Sequence, residues 1–390
     1  MNLAVDELRG QLGRFKTFLD QDPDNTNLLG QIAEIHYRLG EFDEANSLIE
    51  KALKIAQDDQ SIQFLKSNIA MASGQAEIAI DILEALINSG NTESGVRYNL
   101  AYALLYDGRH EEASIQLDQI NNESEKLPEV SLLRARVLHH VGDLEQAIRC
   151  AEQYISLNPN HAEASGILAL LNYDEGHNEI ARKWAEQTLA IHEANIDALI
   201  TLGSIAIDGQ EREEANRYFK SATARHPTSG RAWSGMGLTD MLGMDIEKAI
   251  IDLTKAVKFM PNHIGTWHSL AWCHLIKDDI AGAKQSMQSA MDLDHNFGES
   301  HGGLAVIDIL EGSIDAAKIK TKKALRLDPL SFSGRFAESL LLEGQGNSQA
   351  AKKVITQILN YKIGNDTETV QMKITQHMKS PRVQNYTKKR

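Results

Sequence analysis

The sequence predicts an all-α chain of stacked antiparallel helix pairs, on three periodic observations. Alanine recurs every 34 residues at Ala45, Ala79, Ala113, Ala147, Ala181, Ala215, Ala249, Ala283, Ala317 and Ala351. Twelve places before each stands a small residue: Ala33, Ser67, Ala101, Ala135, Ala169, Gly203, Gly237, Ala271, Ala305 and Ser339. Between the two lies a glycine, at Gly40, Gly74, Gly108, Gly142, Gly176, Gly312 and Gly346, or one place early at Gly209 and Gly243. A fixed period of this length marks a stacked-repeat architecture, in which each unit needs only its neighbours to build a core.

Units are taken to start at 26, 60, 94, 128, 162, 196, 230, 264, 298 and 332. Helix A then fills roughly the first dozen residues, with apolar spacing such as Leu29, Ile32, Ala33 and Tyr37. The glycine at the fifteenth place suits a left-handed helix C-cap. Helix B follows, with the invariant alanine at its twentieth place. The small eighth and twentieth residues let the two helices cross closely. Pro23, Pro159, Pro227, Pro261 and Pro329 share the thirty-second place, where helix B stops. The expected organisation is an N-terminal capping helix in 1–25, ten units in 26–359, a C-terminal capping helix in 360–379 with Asp366 as N-cap, and a basic flexible tail in 380–390.

The composition, 42% hydrophobic, is enough for a continuous core. No run approaches the ~18 apolar residues of a membrane span. The first residues lack a basic and then apolar leader, so a cytoplasmic location is expected. Cys150 and Cys273 lie more than three units apart and are read as reduced, small core residues. Charge is uneven: residues 1–195 carry 32 acidic and 15 basic side chains, residues 196–390 carry 22 and 25. The acidic half argues against nucleic acid and anionic membrane and would steer a basic partner.

The pattern Trp233, Met236, Gly237, Ala249, Leu253, Ala256, Pro261, with Trp267, Leu270, Ala271, Ala283 and Ala290 in the next unit, strongly resembles the tetratricopeptide repeat. The resemblance covers residues 26–359. It implies a right-handed superhelical solenoid with helices A lining a concave groove, and a groove-facing role for the second, fifth, sixth, ninth, twelfth and thirteenth residue of each unit. Those places hold many apolar and aromatic side chains, including Leu132, Leu170, Ile200 and Val306. The candidate partner-binding residues are Tyr37, Phe64, Asn68, Tyr98, Asn99, Tyr102, Arg136, His139, Tyr173, His268, Trp272 and Phe336. An exposed apolar strip marks a partner, and interface cores favour aromatics and Met; packing on adjacent units is the competing explanation. Some relatives clamp a peptide's terminal carboxylate with two asparagines and several cations. Here Asn68 and Asn99 match, but Phe64, Glu129 and Leu133 stand where cations belong, so a clamp is not expected.

The eleventh place holds Asp240, His274 and Asp308 in successive units, a possible Asp–His–Asp ladder or a set of polar ties. No metal-binding, nucleophilic or phosphate-cradling motif is present; His301, Gly302 and Gly303 fall inside a helix and follow no strand. The expected function is a scaffold, adaptor or chaperone-like binder, without cofactor or metal, that holds a protein or peptide of apolar character with some basic residues. Alternatives are a regulatory or substrate-presenting subunit of an enzyme, secretion or modification complex, and self-association through the end faces.

Overall fold

The structure, a computed structural model, describes residues 2–120 and 128–360. The expected C-terminal capping helix with Asp366 and the basic tail lie outside these residues. The chain forms two compact units, Met1–Ile167 and Leu168–Arg390, with the division inside one helix. The first unit holds α1 (Asn2–Gln21), α2 (Thr26–Arg38), α3 (Phe42–Ile55), α4 (Gln60–Ala72), α5 (Ala76–Asn88), α6 (Ser94–Asp107), α7 (His110–Asp118), α8 (Pro128–Val141), α9 (Leu144–Leu157) and the start of α10 (Ala162–Asp174). The second continues with α11 (Asn178–Ile191), α12 (Ile196–Asp208), α13 (Arg212–Arg225), α14 (Gly230–Leu242), α15 (Ile246–Phe259), α16 (Ile264–Ile276), α17 (Ile280–Leu293), α18 (Gly298–Leu310), α19 (Ile314–Leu327), α20 (Phe332–Gly344) and α21 (Ser348–Leu359).

Every helix A opens on the first residue of its 34-residue unit, and every helix B opens on the seventeenth. The residue before helix A caps it: Asn25, Asp59, Asn195, Ser229 and Ser331 each accept a backbone N–H of the first turn. Such caps satisfy donors that the helix itself leaves unpaired. Trp233 and Trp267 donate their indole N–H to Pro227 O and Pro261 O at 2.8 and 2.7 Å, and Arg335 reaches Pro329 O at 2.9 Å. The fourth residue of a unit thus ties down the turn that precedes it. The invariant alanines are buried, nine of them at 0% exposure, where any larger side chain would force the two helices of a pair apart.

Between helix A and helix B the sixteenth residue returns its N–H to the carbonyl of the eleventh, as Glu41 does to His36 and Asp245 does to Asp240. The fifteenth residue is left-handed in all ten units. The early glycines of two units do not move this turn. Gly209 and Gly243 keep negative φ, while Gln210 and Met244 take φ of 58°; Asp278 takes 60° in the next unit. The six-to-one bond fixes which residue must turn, so a non-glycine accepts the strain. Gly243 has a different reason: a β-carbon there would lie 2.0 Å from the Arg212 guanidinium, which packs flat over it. Met244→Gly and Gln210→Gly should each stabilise the protein by about 0.5–1 kcal/mol by removing the left-handed penalty net of glycine's entropy. Thermal unfolding of the two variants checks this.

Both cysteines are free thiols. Burial pushes the buried Cys273 thiol up to about 11 and also raises Cys150. No helix among the described residues is long and apolar enough to cross a membrane.

Candidate interaction surface

The expected continuous apolar strip along helices A is broken. Leu132, Leu170, Ile200 and Val306 are 2–8% exposed, covered by neighbouring helices. In the second unit the cover is built in two ways. Arg231 of α14 reaches past α12 to Asp174 of α10 with two bonds of 2.7 and 3.0 Å. Further along, α18 and α20 meet backbone to backbone: a β-carbon on Gly302 would sit 2.2 Å from Gly334 N. Self-packing therefore takes over where small residues let helices A approach.

The face stays open at α6. Tyr98, Tyr102 and Tyr106 stand on successive turns of this helix, the spacing that aligns side chains on one face. Tyr98 is half-buried against the core around Leu83 and Leu100, together with Phe64; Tyr102 and Tyr106 are 48% and 70% exposed. Burial raises the Tyr98 hydroxyl pKa, and Glu129 and Glu163 add to it, which places carboxylates around the ladder. Asn99 Nδ2 donates to Asn68 Oδ1 at 2.6 Å, so the two asparagines are tied together, which uses one of the four hydrogen-bonding sites of each amide. Arg136 pairs with Glu163 at 3.2 Å. Tyr106 was not singled out by sequence, although its thirteenth place and its spacing from Tyr102 were available signals.

Other candidates lie apart from that group. Tyr37 packs beside Phe42 at 6.2 Å between ring centroids. His139 neighbours His140, whose ring stacks on His110 at 4.4 Å, a contact between units that sequence did not suggest. Tyr173 donates to Asp208 at 3.0 Å, and burial together with that carboxylate raises its hydroxyl pKa. In α16, Trp272 joins Phe332 and Phe336 in an aromatic trio with centroids 6.1–6.4 Å apart. Phe332 is 48% exposed, so the trio has an open edge. Tyr102 and Trp272 belong to different compact units.

His268 Nε2 lies 2.9 Å from Ser300 Oγ, and its ring meets Phe297 edge-on. Burial lowers the His268 pKa and lowers that of His301. A histidine depressed in the fold binds fewer protons there than in the unfolded chain, so stability falls as pH drops below about 6.5. Melting temperature should therefore decline from about pH 7.5 to 5, and less steeply in His268→Asn, a comparison that thermal scans provide.

The Asp–His–Asp ladder does not form. His274 Nδ1 bonds Asp279 at 2.8 Å, Asp308 bonds Lys320 at 2.6 Å, and Asp240 faces Arg212 at 3.9 Å. The eleventh residue turns toward a helix B or its N-cap rather than toward the next helix A: His274 and Asp308 pair within their own units, and Asp240 faces Arg212 of the preceding one. His36 repeats the His274 arrangement with Glu41 at 2.6 Å.

Tetratricopeptide repeat family models match residues 12–69 and 132–196. No curated protein matches the chain in sequence. Among solved structures, a human IFIT1 dimer with m7Gppp-AAAA is similar at 17% identity and a TM-score of 0.56, over 90% of this chain and 94% of that one. IFIT1 with PPP-AAAA gives 16% and 0.54 over the same shares. The Cut9–Hcn1 hetero-tetramer of the APC/C gives 12% and 0.51, over 91% and 84%. The first two correct the exclusion of nucleic acid, and with it the expected partner list. The same architecture holds capped and triphosphate-ended oligonucleotides in IFIT1. The summed charge of the acidic half was the wrong quantity, because a long repeat surface presents charge locally. The two family matches and the ten helix pairs in one register make this chain a tetratricopeptide-repeat protein.

Proposed function

We propose that the protein captures a partner on the helix A face of its first unit, centred on the tyrosines of α6. The single observation behind this reading is the rise in exposure from Tyr98 to Tyr102 to Tyr106 along one helix face. Large, rigid side chains with a polar tip are what binding hot spots use. The linked Asn68 and Asn99 amides beside them offer a remaining donor and acceptor to an extended segment. A regulatory or substrate-presenting role within a larger assembly uses the same face and differs only in what is held.

The test is affinity capture with the full chain, followed by identification of the retained protein. Tyr102→Ala/Tyr106→Ala should lose the retained partner by about tenfold or more, since each such hot spot is worth about 1–2 kcal/mol or above. Both side chains are exposed, so helix content should not change. A partner retained equally by the double variant overturns the α6 site.

A further inference from the structure

We propose that α19 and α21 form a second, separate surface that binds the phosphodiester backbone of a nucleic acid. These two helices carry Lys318, Lys320, Lys322, Lys323, Arg326, Lys352 and Lys353 against a single acid, Asp315. Asp315 is engaged by Lys318 at 3.1 Å, and Lys320 is used internally by Asp308. Among the described residues no ion pair reaches Lys322, Lys323, Arg326, Lys352 or Lys353. All but Lys323, which is half-buried, are exposed. Lys318, Lys322 and Arg326 follow one another at four-residue steps, about 6 Å apart on one helix face. Both helices pack on α20, so the cations stand on a fixed frame.

The kind of polyanion follows from what the face lacks. A membrane-seated helix needs an apolar stripe opposite its cations. The exposed apolar side chains of α19 are Ile314 and Ile319, five residues apart and so on different faces; α21 has Val354 and Ile355 half-buried. An acidic protein interface would be anchored by a cluster of aromatic or aliphatic groups at its centre, and the exposed apolar side chain among these cations is the single Ile319. Cations without anchors are how a phosphate backbone is held, through counterion release and without base reading.

The experiment is fluorescence anisotropy of labelled oligo(U) with the full chain, across about 50 to 200 mM salt. Binding should weaken steeply with salt. Lys322→Glu/Arg326→Glu/Lys353→Glu should weaken it at least tenfold and flatten the log–log salt slope by about 2, at about 0.7 for each lost contact. All three side chains are exposed, and circular dichroism should show unchanged helix content. Tyr102→Ala/Tyr106→Ala should bind oligo(U) as the parent does, so failure of the α6 site leaves this surface standing. The proposal is overturned if the triple charge reversal leaves affinity and slope unchanged. It is also overturned if the tyrosine variant abolishes binding, or if polyglutamate or phosphatidylserine vesicles compete as well as unlabelled oligo(U).

Discussion

Phe219→Ala should destabilise the second unit by about 3–5 kcal/mol, the range for removing a fully buried phenylalanine. The ring is 1% exposed and lies between two helix backbones. A β-carbon on Gly203 of α12 would stand 2.7 Å from it, and one on Gly235 of α14 would stand 2.1 Å from it. Two glycines thus make a slot that the ring fills, with Leu170, Ile200 and Ala215 around it. Alanine leaves that slot lined by backbone, which relaxes less readily than side chains do, so the cost should fall in the upper part of the range. The converse change, Gly235→Ala, drives a methyl into the ring and should also destabilise. A compensating Phe219→Leu/Gly235→Ala pair should recover part of the loss, because ring and methyl compete for one volume. Urea unfolding followed by circular dichroism measures all three variants. Loss of less than about 1 kcal/mol in Phe219→Ala would mean the slot collapses freely.

The periodic residues made the scaffold legible. A buried position repeated ten times imposes the same steric demand ten times, so Ala45 through Ala351 report helix crossings directly. The glycine turns were legible for the same reason, except in the units of Gly209 and Gly243, where the glycine does not mark the turning residue. There the backbone bond to the eleventh carbonyl overrode residue preference and placed Gln210 and Met244 in the left-handed region. The surface was harder to read. Whether a fifth- or ninth-place residue is exposed depends on how closely the next helix A approaches. That approach is set by residues such as Gly302 and Gly334, whose meaning is invisible without their partner. Ile200 and Tyr102 occupy groove places by sequence, yet one is 3% exposed and the other 48%. Of the two readings of the polar eleventh places, ties hold and the ladder does not; spacing left both open because it does not encode side-chain direction on a helix.

Gly302→Ala should be among the most damaging conservative substitutions in the chain, at about 3 kcal/mol or more, the upper end of overpacking. The added methyl would meet Gly334 N at 2.2 Å and the Ser333 carbonyl carbon at 2.5 Å. These are backbone atoms, so no rotamer change relieves the contact, and α18 and α20 must separate. Separation would unpack Val306 and Ala337, both buried between these helices, and loosen Trp272 and Phe336 beside them. Gly303→Ala is the informative neighbour. Its methyl would meet the thioether end of Met287, at 2.3 Å from Cε, and a flexible side chain can swing aside. It should cost about 1 kcal/mol, though the change in helix propensity is identical. Two adjacent glycines in one helix, given the same substitution, therefore separate helix propensity from interhelical approach. If Gly302→Ala proves no worse than Gly303→Ala in urea unfolding, the backbone contact between α18 and α20 is not what closes the helix A face there. Trp272 fluorescence offers a second readout, since a widened α18–α20 gap exposes the indole to water even where global stability is retained.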